Sequence, residues 1–97
     1  TIPAEHPDYD KAQLYIGSAY IKLKKFDKAT PYFRRILAMN YSLLKDLAQW
    51  NLLLAWLGAG QTDAEFYDLL DKIRSDSNHR YHSKAQKLLK DLNSFWR

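Results

Sequence analysis

The amino-acid sequence predicts an all-α fold of five helices, and three observations carry that expectation. Apolar residues recur at spacings of three and four in five successive segments, the period that gives a helix one apolar face. No stretch alternates apolar and polar residues as a half-buried strand does. The breaks between segments hold helix stop and start residues, above all "GAGQTDAE" at residues 58–65. With connections this short, successive helices must stack as antiparallel neighbours.

The first helix is predicted from Asp8 to Lys24, with Ala12, Ile16, Ala19, Tyr20 and Leu23 on one face. The second runs from Phe26 to Asn40 on the stripe Ala29, Phe33, Ile36 and Leu37. Pro31 falls in or just past its first turn, where a missing N–H is tolerated best. A third, Ser42 to Leu57, is nearly apolar throughout at "LAQWNLLLAWL", the signature of a helix sandwiched between neighbours. Gly58 and Gly60 suit its C-terminus, and Thr62 with Glu65 forms a capping box for the fourth helix. That helix carries Phe66, Leu69, Leu70 and Ile73. "SDSNH" is a polar break. The fifth helix, Arg80 to Phe95, has Tyr81, Ala85, Leu88, Leu89 and Leu92 in register, with Trp96 continuing the pattern.

Gly17 stands inside the first helix, where glycine costs about 1 kcal/mol relative to alanine. Close helix approach repays that cost. The second helix offers Ala29 at the matching place, with Tyr20 and Phe33 filling the space above and below.

Ile16-Gly17, Tyr20, Phe26, Ala29 and Phe33 stand at the spacing of a tetratricopeptide repeat, and residues 10–41 resemble one such two-helix unit. Ile36 and Tyr41 depart from the pattern, at slots usually small and proline. A second copy begins about 36 residues on. There Leu52, Ala55 and Trp56 take the slots of Ile16, Ala19 and Tyr20, and Gly60 takes the glycine of the turn. Leu53 replaces Gly17, Glu65-Phe66 replaces the small alanine, and one extra residue is inserted. The resemblance implies a single domain: repeat one at 8–41, repeat two at 42–77, and a capping helix at 80–96. Its architecture would be two antiparallel hairpins plus that cap, in a right-handed α–α superhelix. Lys84, Lys87, Lys90 and Asp91 would form the polar outer face of the cap.

Such domains bind other proteins, using the inner helix of each hairpin to line a groove for a peptide. Carried over by position, the groove residues are Lys11, Leu14, Ser18, Ile21 and Lys22 in repeat one, and Leu47, Trp50, Leu54 and Leu57 in repeat two. Apolar anchors beside lysines suit an extended segment with an acidic residue or a free carboxylate. Trp50, Leu54 and Leu57 have an alternative place in the core, beneath a fifth helix folded back over them. "DLAQWNLLLAWLGAGQTDAEF" and "DKIRSDSNHRYHSKAQKLLKDL" also resemble short repeat domains at the C-terminus of bacterial proteins. That likeness implies a scaffold module of a larger protein, often membrane-anchored and facing the periplasm, with further chain before Thr1.

Composition narrows the remaining readings. Cysteine is absent, which excludes disulfides, thiolate metal ligands and thiol nucleophiles. The longest apolar run is far short of a membrane span, so a membrane enters only through an anchor elsewhere. Net charge is +4, distributed as basic, acidic and basic thirds that suit packing between oppositely charged helices. Asp63, Glu65, Asp68 and Asp71 sit in or near the first turns of a helix, where the macrodipole favours them without catalysis. "GAGQT" lacks the lysine of a phosphate loop, so neither an enzyme nor a cofactor is expected. His79 and His82 stand three apart but read as surface residues, and no metal site is expected. His6, in the N-terminal tail, suggests no role.

Lys84, Lys87 and Lys90, with Arg80 and Arg97, could meet nucleic-acid phosphates, but Asp91 interrupts them and no aromatics alternate for stacking. Nucleic acid is therefore the disfavoured partner. Self-association is the principal alternative to groove binding, through Phe95-Trp96 and the tyrosines Tyr9, Tyr15, Tyr32 and Tyr41.

Overall fold

The computed structural model describes Pro3 and residues 5–95, without the side chain of Phe95. These residues form α1 (Tyr9–Lys22), α2 (Phe26–Leu37), α3 (Lys45–Gly58), α4 (Ala64–Ser75) and α5 (His82–Phe95), with no strand among them. Trp96 and Arg97, which the sequence places on the fifth helix and its basic strip, lie outside the described residues.

The helix ends follow from local chemistry. At the end of α1, Lys24 adopts a left-handed φ of 59°, and the Leu23, Lys24 and Lys25 amides donate to the carbonyls of Ala19, Ile21 and Tyr20. At the end of α3, Gly60 has φ 75°, and the Ala59, Gly60 and Gln61 amides donate to Ala55, Leu57 and Trp56. The same three bonds thus recur at an offset of 36 residues, in the left-handed helix stop that favours glycine. Pro31 stands deeper in α2 than its first turn. The carbonyl its missing N–H would have used, that of Asp27, accepts from the Thr30 hydroxyl at 3.2 Å instead.

Two starts differ from expectation. α3 begins at Lys45 rather than Ser42, because the Ser42 hydroxyl accepts the Leu44 amide at 3.0 Å and donates to Asp10 at 2.6 Å, holding the loop against α1. α4 is capped by Asp63, whose carboxylate accepts the Phe66 amide at 3.2 Å; Thr62 stands one residue outside.

α1 packs along α2, α2 along α3, and α4 along α5, with a lesser approach between α3 and α4. The molecule measures 46 × 30 × 19 Å, and the thin dimension is about two helix diameters, so the helices lie in two layers. The core joins Ala29, Phe33 and Ile36 of α2 to Leu52, Leu53 and Trp56 of α3, and Phe66, Leu70 and Ile73 of α4 to Ala85 of α5. α3 is lined by core on several sides, as its all-round apolar sequence predicts.

The glycine contact differs in detail from expectation. A Cβ on Gly17 would meet the Phe33 ring at 2.7, 2.8 and 3.2 Å, so the ring rather than Ala29 occupies the space glycine leaves. A second such contact was not foreseen: Gly58 lies under the Phe26 ring, where a Cβ would stand 2.6 Å from Cζ. Where Leu53 and Phe66 replace Gly17 and Ala29, the α3–α4 backbones approach closely over a shorter stretch than α1 and α2 do. Of the face read for α1, Tyr20 packs on the core but Ile16 and Leu23 do not. Only Gln13 and Gly17 of that helix are buried, and Ile16 and Leu23 are 40% and 64% exposed.

Candidate functional site

Of the five α1 residues expected to line a groove, four come together at one concavity and Ile21 does not. Leu14, Ser18 and Ile21 are half-buried, while Lys11 and Lys22 are exposed. Lys11, Leu14, Ser18 and Lys22 line a concavity of about 360 Å³ with Tyr15 and Leu44. Helical spacing explains the set: positions 11, 14, 18 and 22 lie on one face, and Leu44 reaches them because the Ser42–Asp10 bond pins the α2–α3 loop to α1. Leu14 and Leu44 also pack on the core, which fixes the apolar floor. Lys11 and Lys22 are the two basic residues of its lining.

The second-repeat residues are placed differently. Leu47, Trp50, Leu54 and Leu57 are all half-buried on α3, and none lines that concavity. The Trp50 indole is covered by the Tyr81 ring, stacked at 5.3 Å with 3° between planes. Tyr81 precedes α5 and carries cations of its own, Arg80 at 5.7 Å and Lys84 at 5.5 Å from the ring centre. Trp50 and Leu57 pack on the core cluster. The concavity that includes Lys11 and Lys22 therefore belongs to α1 and the loop after α2.

His79 is not a surface residue, as the sequence suggested, but 9% exposed. Its Nδ1 accepts the Tyr81 amide at 3.0 Å, so the ring proton sits on Nε2. Nε2 then donates to Gln49 Oε1 at 2.8 Å, with Asp46 Oδ1 at 3.4 Å. The second Asp46 oxygen accepts the Arg80 amide at 3.0 Å. Asp46 and Gln49, one turn apart on α3, thus clamp the loop that places Tyr81 on Trp50. No spacing rule links residues more than 30 positions apart, so sequence reasoning missed this cluster. His82 is half-buried, with Nδ1 enclosed and without a hydrogen-bond partner among the described residues.

Among the described residues, no group of three or more His, Asp or Glu side chains is placed to hold a metal ion. Nor is any helix among them long and apolar enough to cross a membrane. On α5, Lys87 pairs with Asp91 at 2.9 Å and Lys84 lies over Tyr81, so two of the three strip lysines have partners within the chain. Tyr15 and Tyr41 are 79% and 73% exposed, whereas Tyr9 and Tyr32 are half-buried. No family model, curated protein or solved structure matches this chain.

Proposed function

We propose that this chain is a non-catalytic interaction module of the tetratricopeptide-repeat type, which binds an extended segment of a partner protein along α1. Its two hairpins and capping helix would wind as a right-handed superhelix. Three observations support the repeat reading: the helix stop repeated at 36 residues, the glycine approach between α1 and α2, and the position of α2 between two inner helices.

The observation that carries the binding reading is the concavity lined by Leu14 and Leu44 together with Lys11 and Lys22. An apolar side chain would fill the floor, while an acidic side chain or terminal carboxylate would meet an ammonium group. Trp50 contributes less than its sequence position suggests, because Tyr81 already occupies its face.

The test titrates extended peptides ending in an acidic residue or a free carboxylate into isotopically labelled protein, following amide resonances. Binding should shift the Leu14, Ser18 and Lys22 signals first. Lys11→Glu should weaken it several-fold, and Ser18→Phe should block it by filling the floor. Shifts confined to α4 and α5, or binding unaffected by Ser18→Phe, would overturn the assignment.

A further inference from the structure

Three helices of this chain present the same stripe, and only two have it covered. Ala48, Leu52 and Ala55 of α3 are 0%, 2% and 0% exposed, on the helix that packs along α2. In α5 the corresponding Ala85 is buried and Leu89 and Leu92 pack on the core, on the helix that packs along α4. The α1 residues in that register, 36 positions before those of α3, are Ala12, Ile16 and Ala19. Ala12 is half-buried, Ile16 is 40% exposed, Ala19 is exposed, and Leu23 just beyond is 64% exposed. Twice within the molecule, then, a neighbouring helix covers this register.

The charges beside the stripe identify which helix would cover it on α1. Asp8, Tyr15 and Lys22 are spaced seven apart and so follow one edge of α1, acid at the start, lysine at the end and tyrosine midway. Asp8 occupies the N-cap position, yet its carboxylate makes no cap bond. Its one ion pair among the described residues, with Lys11 at 3.9 Å, is exposed and weak. Ala12 and Ala19 stand at equal distances from the middle of the helix, so they would oppose each other across a two-fold axis and let two backbones approach.

We propose that the outer face of α1 is an antiparallel homodimer contact, formed with α1 of a second copy of this chain. A two-fold axis near Tyr15 and Ile16 sets each Asp8 beside Lys22 of the second copy and buries both Ile16 side chains. A parallel pair would instead bring like charges together, so the charges fix orientation more than affinity. A helix of 14 residues spans only about 21 Å. Such a contact buries less than the ~800 Å² per partner of a standard interface, so the dimer is weak and reversible.

Sedimentation of the full chain from about 10 µM to 1 mM tests this range of weak association. The expected result is a monomer–dimer equilibrium weakened about tenfold or more by Ile16→Glu, which forces a charge into the contact. Ile16 is exposed enough for that variant to keep its helicity, checked by circular dichroism. Asp8→Lys should weaken the dimer, and Asp8→Lys combined with Lys22→Asp should restore it. Because the chain has no cysteine, Tyr15→Cys should crosslink to itself on oxidation. A monomer throughout the range overturns the proposal and leaves the face to a helix of another protein. So does a dimer indifferent to Ile16→Glu. Tyr15 and Lys22 also line the α1 concavity, so Ile16→Glu, outside that lining, and Ser18→Phe, outside the dimer stripe, are the variants that separate the two proposals.

Discussion

The ring of Phe33 lies directly over Gly17, and a β-carbon there would stand 2.7 Å from Cε1 and 2.8 Å from Cζ. Two effects of Gly17→Ala therefore oppose each other. Alanine gains about 1 kcal/mol of helix propensity. Against this, Phe33 is fully buried, and overpacking a filled core costs about 1–3 kcal/mol. The clash outweighs the gain, and the expected outcome is a net loss of up to about 2 kcal/mol, read from the denaturant midpoint. Phe33→Leu, itself destabilising, should remove most of the additional cost of Gly17→Ala. Additive effects of the two changes would mean that the ring is not the obstacle.

Gly58 meets Phe26 at similar distances, but Gly58 is exposed and Phe26 only half-buried, so the ring has room to turn. Gly58→Ala should therefore stay within about 1 kcal/mol of the parent, smaller than the effect at Gly17. Equal losses at both sites would show that burial of the ring does not set the cost.

The recurring helix stop gives a prediction of opposite signs. Lys24 holds a left-handed φ of 59° that costs a residue with a side chain about 1–2 kcal/mol. Lys24→Gly relieves that strain but adds freedom to the unfolded chain, leaving a gain of about 0.5 kcal/mol or more. Gly60, with φ 75° and no atom within 4 Å of its missing side chain, meets only the backbone penalty. Gly60→Lys should lose about 1 kcal/mol. Thermal unfolding of the two variants would decide, and a gain at Gly60 would refute the shared geometry.

His79 ties the α4–α5 loop to α3, and His79→Ala strands both the Tyr81 amide and the Gln49 carbonyl oxygen. Losing a buried donor–acceptor bridge of this kind costs about 2 kcal/mol. The local consequence is more specific than the stability loss. Amide exchange at Arg80 and Tyr81 should accelerate, and the Trp50–Tyr81 stack should loosen, while α1 and α2 keep their protection. Unchanged exchange at Arg80 would show that Asp46 alone holds the loop.

These contacts also mark how far the sequence could be read. Helical period and glycine turns are local, so the five helices and the stop at Gly60 were legible from neighbours within one or two turns. The buried face of α1 was not. Its stripe has the same small–large–small pattern as that of α3, and whether it is covered depends on a helix the pattern cannot supply. That Lys11, Leu14, Ser18 and Lys22 share one concavity was legible because one helix carries them at fixed spacing; Tyr15 and Leu44 join them there and Ile21 does not. Trp50 was not, because its environment is set by Tyr81, 31 residues away. His79 escaped for the same reason.

The start of α4 separates two readings that differ by one residue. "TDAE" satisfies the capping-box pattern through Thr62 and Glu65, yet the observed bond runs from the Phe66 amide to Asp63. Glu65 instead pairs with Arg34 at 3.1 Å across to α2, leaving it no reciprocal role at the cap. Phe66, Leu70 and Ile73 take buried places like those that Ala29, Phe33 and Ile36 hold 37 positions earlier. In that register the α2 cap Lys25 corresponds to Thr62, so α4 begins one residue later than α2 does, where the Asp63 carboxylate takes the Phe66 amide. Asp63→Ala should therefore cost about 1 kcal/mol, whereas Thr62→Ala should change stability by a few tenths at most. Urea midpoints of the two variants measure the difference, and a larger loss at Thr62 would restore the capping box and move the helix start back by one residue.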